Sequence, residues 1–239
     1  MNRRSALIAA RWVHIAASVA MTLIFSVLLA ELAGYWLHRL LHSDKVKFLS
    51  RGHLIHHFLI YGPRQPMRTD AGYRDATDNR FSVGNIGLEW LMPSAIVLAI
   101  CWGAMILLHV PRVYQGLAVC GLLGWPIFMF SYLHDRMHEE GFWMTRVPLL
   151  SRWFLKARRL HDIHHRSLDS DGRMDTNFGI GFYWFDRLFG TMAQRHRAFN
   201  WSGYEIAKQR YLLEDDADIR DEESEEDNHW LPHKQDGGS

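Results

Sequence analysis

The chain is short of cysteine and proline, has long stretches without charge, and carries no dinucleotide fingerprint. Its 239 residues hold two cysteines, Cys101 and Cys120, both inside apolar runs. Two such residues build no disulfide framework and read as small buried side chains. Neither lies near a histidine-rich segment, which argues against a thiolate zinc site or an iron–sulfur cluster. No Gly-x-Gly-x-x-Gly occurs, so no dinucleotide of the Rossmann type is expected. No cleavable leader is expected either, because the first apolar run is too long and passes straight into a histidine-rich segment.

Charge is missing from some places and concentrated in others. The net charge of +1 hides an asymmetry, since residues 214–239 carry eleven acids against Arg220 and Lys234. The remaining 213 residues are therefore basic, with 25 Lys+Arg and 15 Asp+Glu. A basic body suits an anionic membrane face, and the apolar runs speak against nucleic acid. Residues 214–227 hold ten acids in fourteen positions and predict a disordered tail. The terminal Gly237-Gly238-Ser239 has the composition of a linker. The expected organisation is one domain over residues 1–213, followed by the acidic tail over residues 214–239.

From Trp12 to Ala30 no residue is acidic or basic apart from His14, a length that spans a bilayer. The helical pattern continues to His42, so this helix should project beyond the hydrocarbon core. Two more spanning candidates follow, over residues 88–110 and 114–133, joined by the tight turn Val110-Pro111-Arg112. Pro126 lacks a donor and should kink the third helix, opening a slot of lipid size or merely being packed over. Residues 62–86 read as a polar loop. Residues 142–160 mix tryptophans and leucines with arginines, as in a helix lying at a membrane interface. The fold class expected is all-α: about three transmembrane helices, spanning roughly 12–37, 88–110 and 114–133, with a helical cap formed by residues 38–87 and 134–213. Eight Lys+Arg in residues 39–87 against Arg112 alone in the hairpin turn place the cap on the cytoplasmic side. Arg3, Arg4 and Arg11 then lie outside.

Ten of the fifteen histidines fall into four boxes in a doubled order. His38 and His42 form a His-x3-His box, followed by His53, His56 and His57 in a His-x2-His-His box. His134 and His138 repeat the first, and His161, His164 and His165 repeat the second. Positions i, i+3 and i+4 share a helix face, so each box is expected to aim two or three imidazoles at one point. Ten imidazoles exceed one tetrahedral ion and suit two metals, with iron, zinc, copper and nickel all compatible. Glu31, one heptad before His38, is a candidate ligand or hydrogen-bond acceptor for one, or else a helix-paired acid. Asp162, Asp175, Asn177 and Asp186 are candidates to fix histidine tautomers, although Asp186 could equally pair with Arg187.

The four boxes, with Asn177-Phe178-Gly179 and Asp186-Arg187-Leu188-Phe189-Gly190-Thr191, resemble the fatty acid hydroxylase / sterol desaturase superfamily of membrane di-iron oxygenases. The resemblance covers about residues 30–192 and leaves out the tail and the loop at 62–86. It implies two non-haem iron ions held by the ten box histidines, and dioxygen as co-substrate. The implied reaction is hydroxylation, desaturation or demethylation of a membrane lipid or acyl chain, with carotenoid hydroxylases also in view. Electrons would come from a small carrier of ferredoxin or cytochrome b5 type with its reductase. Three rivals stay open. A metal transporter would want polar ligands near the bilayer midplane. A haem carrier would want paired histidines within the spans, where only His14 and His109 lie in or beside them. A zinc-stapled scaffold would use the same ligands.

Overall fold

A computed structural model of the chain describes residues 3–64, 67–72, 82–83 and 86–211. The acidic tail and most of the loop at 62–86 lie outside the described residues. Helix α1 runs Arg3–Leu41, starting nine residues before the expected Trp12 and stopping where Ser43 turns the chain. The Ser43 hydroxyl accepts from Lys45 N at 3.4 Å and caps the short turn Asp44–Val46. At 1.5 Å per residue, α1 is roughly 58 Å long, well beyond a hydrocarbon core of about 30 Å. Helix α2, Lys47–Ile55, follows and continues as a wider π-helical turn over His56–Ile60.

A two-residue hairpin, Ser82–Val83 against Ile86–Gly87, leads into α3, Leu88–Leu107. The end of α3 has a physical cause. His109 sits at φ 52°, Val110 N donates to Met105 O at 3.0 Å, and His109 N donates to Ile106 O at 3.0 Å. This left-handed cap satisfies the last carbonyls, and Pro111 just beyond it prevents the helix from resuming. Helix α4, Arg112–Pro126, then passes into a π-helical stretch, Ile127–Leu133, and a last α-turn, His134–Arg136. The expected break at Pro126 is thus a change of helical pitch immediately after the proline.

Three of these helices are long and apolar enough to cross a membrane: Leu7–Leu41, Trp90–Leu107 and Arg112–Arg136. Large apolar side chains such as Leu7, Trp12, Phe25, Ile100 and Leu107 point outward from them. A surface of that kind is costly in water and natural in a bilayer. Helix α1 packs most extensively on α4. Gly121 makes the approach possible, because a Cβ there would come within 2.7 Å of Ser26 Cβ. Small residues at a helix crossing let backbones close without polar groups being exposed to lipid.

The cap is built on α5, Pro148–Arg166, with α6, Trp184–Leu188, and α7, Trp201–Tyr211, around it. Proline at the start of α5 suits a position whose N–H is not needed. The buried face of α5 carries Phe154, Ala157, Leu160 and Ile163 together with the fourth histidine box. Its outer face keeps the interfacial mixture expected from sequence, with Leu149, Arg152, Leu155, Lys156 and Arg159 exposed. The main core joins Leu41, Met129, Phe130, Leu133 and Met137 to Phe142, Phe154, Leu160, Ile163 and Ile180. It sits where the spanning helices meet the cap.

Candidate metal centre

The ten box histidines are all buried and form two clusters of five. One joins His38, His42, His53, His57 and His164. The other joins His56, His134, His138, His161 and His165. Within each cluster the offered ligand atoms lie within 4.8 Å of one another. The clusters touch where the His57 and His165 rings stack at 3.8 Å.

The partition departs from the expectation that each box aims at a single point. The His-x3-His boxes do stay whole, one in each cluster. The His-x2-His-His boxes split. His53 and His57 go to the first cluster while His56 goes to the second, and His161 and His165 go to the second while His164 goes to the first. The reason is angular. At 3.6 residues per turn, i and i+4 differ by about 40°, but i+3 and i+4 differ by about 100°. Such a helix, set between two centres, serves both. The wider pitch begins at His56, at the point where the second box divides, a place where π turns are often found.

The ring nitrogens meet at specific distances. The Nε2 atoms of His42 and His164 are 3.0 Å apart, those of His53 and His42 are 3.1 Å apart, and those of His57 and His53 are 3.1 Å apart. In the second cluster His138 and His165 each bring Nε2 to 3.0 Å from His161 Nε2. Nitrogens bound about 2.1 Å from one ion at right angles lie about 3.0 Å apart, whereas tetrahedral neighbours lie about 3.4 Å apart. These neighbouring pairs are spaced as nitrogens at right angles about one ion rather than as tetrahedral neighbours.

Two rings have their tautomer fixed by the backbone. His38 Nδ1 donates to Phe178 O at 2.7 Å, and His164 Nδ1 donates to Thr176 O at 2.6 Å. Each Nε2 is then a bare lone pair directed into the first cluster, and that of His38 is buried with no hydrogen-bond partner. A second ring nitrogen tied to a carbonyl is how ligand histidines are usually held. Burial keeps His42, His53, His57, His161 and His165 well below the ordinary imidazole value, and neighbouring imidazoles push the same way. His164 is pushed down to about 4 by burial, against the opposing bond to Thr176. The rings are therefore neutral near pH 7, the form that binds metal.

The five candidates around the histidines fare differently. Asn177 touches no ligand ring. Its side chain donates to Leu160 O and Ala193 O, both at 2.9 Å, and accepts from Ala193 N at 2.8 Å. It stands at φ 55° between the two carbonyls that hold His164 and His38. Asp186 acts one step further out, accepting from Phe178 N at 2.7 Å, Gly179 N at 2.7 Å and Thr191 Oγ1 at 2.8 Å. Arg187 turns away to Met192 Sδ, so the alternative Asp186–Arg187 pair does not form. Asp162 pairs with His196 at 3.4 Å and Asp175 with Arg197 at 3.0 Å. Both therefore face the cap surface rather than a ligand ring. Glu31 accepts from Trp125 Nε1 at 2.6 Å, which makes it the helix-paired acid of the alternatives open for it.

Sequence reasoning passed over two neighbours. Tyr61, the residue before the polar loop, stacks on His138 at 3.9 Å and 12°. Trp90, read as the start of a spanning helix, lies 5.6 Å from both His38 and His53 and 6.4 Å from His134. The signal for both was position: each stands within a turn of where a helix meets the cap. Trp90 also lines an apolar cavity of about 400 Å³ between α1, α3 and α4.

Three apolar helices, a helical cap and two five-histidine clusters, each able to hold a metal ion, define a helical protein of the membrane-spanning type. Residues 23–191 match the family described as fatty acid hydroxylase. The chain belongs to that family, within the fatty acid hydroxylase / sterol desaturase superfamily, and so among metal-dependent oxidoreductases of lipids. A search of curated proteins and one of solved structures matched nothing.

Proposed function

We propose that the protein hydroxylates an unactivated C–H bond of a membrane lipid or fatty acyl chain, with two non-haem iron ions and dioxygen. The observation that carries this reading is the pair of five-imidazole clusters, with neighbouring nitrogens as close as 3.0 Å, seated where the apolar helices enter the cap. Tetrahedral zinc, the ion of a stapled scaffold, would want fewer ligands set further apart. A set of neutral nitrogens at that spacing suits iron.

His38, His42, His53, His57 and His164 would hold one ion, and His56, His134, His138, His161 and His165 the other. The bound pair supplies the oxidation itself, in which one oxygen atom enters the C–H bond and the other leaves as water. The protein's own residues do the rest. The Thr176 and Phe178 carbonyls keep His164 and His38 aimed. Asn177 and Asp186 hold those carbonyls in place. Trp90 and Phe130 form an aromatic wall, 5.6 Å between ring centroids, on the membrane side of the centre. The electrons are assigned to a small carrier of ferredoxin or cytochrome b5 type with its reductase. The basic cap favours the cytoplasmic side, where such carriers are reduced.

A comparative lipid mass spectrum tests this, with and without the expressed chain in an iron-replete host that supplies substrate and reductant. A lipid heavier by one oxygen is expected. A lipid lighter by two hydrogens would make the chain a desaturase of the same superfamily. No new lipid, with zinc as the purified metal, would overturn the reading. Alanine in place of His138, His161 or His165 should each lower metal content and abolish product.

A further inference from the structure

We propose that Trp90 decides which carbon of a membrane-lipid chain reaches the metal centre. The inference rests on the lipid-oxidation reading and adds the residue that sets its register. The cavity between α1, α3 and α4 has a volume of about 400 Å³, within the range of small-molecule pockets of ~300–1,000 Å³. Its walls are hydrocarbon, and the lining includes no charged side chain; Ser94 and Ser131 are its only hydroxyl residues. Trp36, Ile96 and Ile127 stand at its rim and are exposed on the surface of the spanning helices. The occupant therefore enters sideways from the bilayer, and its chemistry is that of an alkyl chain rather than a headgroup or an ion.

At the inner end the cavity stops at Trp90 and Phe130. Trp90 is buried, with one side on the cavity and its ring against His38 and His53 of one cluster and His134 of the other. Among the ring contacts of the described residues, the other cavity-lining aromatic side chains, Trp36 and Phe130, meet no ligand ring of either cluster. A chain laid in the slot is thus separated from the histidines by the thickness of one indole, and the carbon beside that indole is the one presented. Gly34 leaves room for the Phe130 side of that inner wall: a Cβ there would collide with the Phe130 ring. Pro93 lies one turn from Trp90 and removes a helical hydrogen bond from the turn that carries it, which lowers the cost of moving the indole aside.

The test uses the full chain in lipid nanodiscs, loaded with zinc so that no turnover occurs. The probes are palmitic acids carrying a diazirine at the second, a middle or the terminal carbon, in separate samples. In the native protein, light should attach them to peptides carrying Leu37, Val97 or Ile127. In Trp90→Ala, labelling of the peptide carrying His53, which holds none of those residues, should rise several-fold, with two metals per chain retained. Trp90→Phe keeps a ring in the wall and should label as the native protein does. In the iron-loaded enzyme, Trp90→Ala should also shift the oxidised carbon. An unchanged labelling pattern in Trp90→Ala, or labelling confined to the outer helix faces, would overturn the proposal. So would loss of metal from both variants, which would make Trp90 part of the metal-holding wall. If labelling moves as expected but no host yields an oxidised lipid, the oxidation reading fails and the wall stands.

Discussion

Asp186 shows how far from the metal centre a single residue can act. It touches no histidine, yet it gathers the Phe178 and Gly179 amides and the Thr191 hydroxyl, and Phe178 in turn receives His38. Asp186→Ala would leave two buried amides without an acceptor, at a cost of roughly 3 kcal/mol. The expected result is a lower melting temperature and a loss of metal that begins at the first cluster, read by metal analysis against the native protein. Asn177→Ala should weaken the same loop, because its amide ties α5 to residue 193 through three hydrogen bonds. The ten histidines were legible because their spacing is itself the signal. The roles of Asn177 and Asp186 were legible only as proximity to the boxes. Their partners are backbone groups brought near by folding, which no side-chain pattern announces. For the same reason Asp162 and Asp175, adjacent in sequence to box residues or their loop, turned out to face His196 and Arg197 at the surface.

At the scale of elements, the spanning helices were readable from length and apolar content, and their ends were not. Helix α1 reaches back to Arg3, the first described residue, because nothing from Arg3 to Arg11 breaks a helix, and the apolar run was only its middle. The stop after Leu107 depends on His109 adopting a left-handed conformation, which a histidine does not advertise. The π-helical stretches were invisible to a fixed 3.6-residue period. The α1–α4 crossing makes a prediction at this scale. Gly121→Leu forces a branched side chain against Ser26 and should cost about 1–3 kcal/mol. Thermal unfolding in detergent should show a lower midpoint, while the spectrum of a metal-loaded sample below that midpoint stays native.

For the whole molecule, the concentration of neutral imidazoles at one buried place governs stability. Chelating the metals should lower the melting temperature, and adding iron back should restore it, because folding and metal binding share one free energy. The metal-free protein should also be acid-sensitive. Unfolded imidazoles take up protons near pH 6.5, whereas His164 in the fold stays neutral down to about 4 and its neighbours His42, His53 and His57 are depressed in the same direction. The unfolded state then binds more protons, so stability falls as pH drops from about 6.5 towards 4. Melting curves across that window check the sign.

The placing of His56 and His164 in the cluster opposite their box partners has a consequence for how the two ions arrive. Helix α2 with its π-helical continuation, and helix α5, each supply both clusters, so the first ion to bind would fix segments that the second also needs. The empty protein pays for that ordering once, and the half-filled form gains least from it. A sample given one equivalent of metal should therefore sort into molecules with two ions and molecules with none, and native mass spectrometry would show the single-ion peak as the smallest of the three.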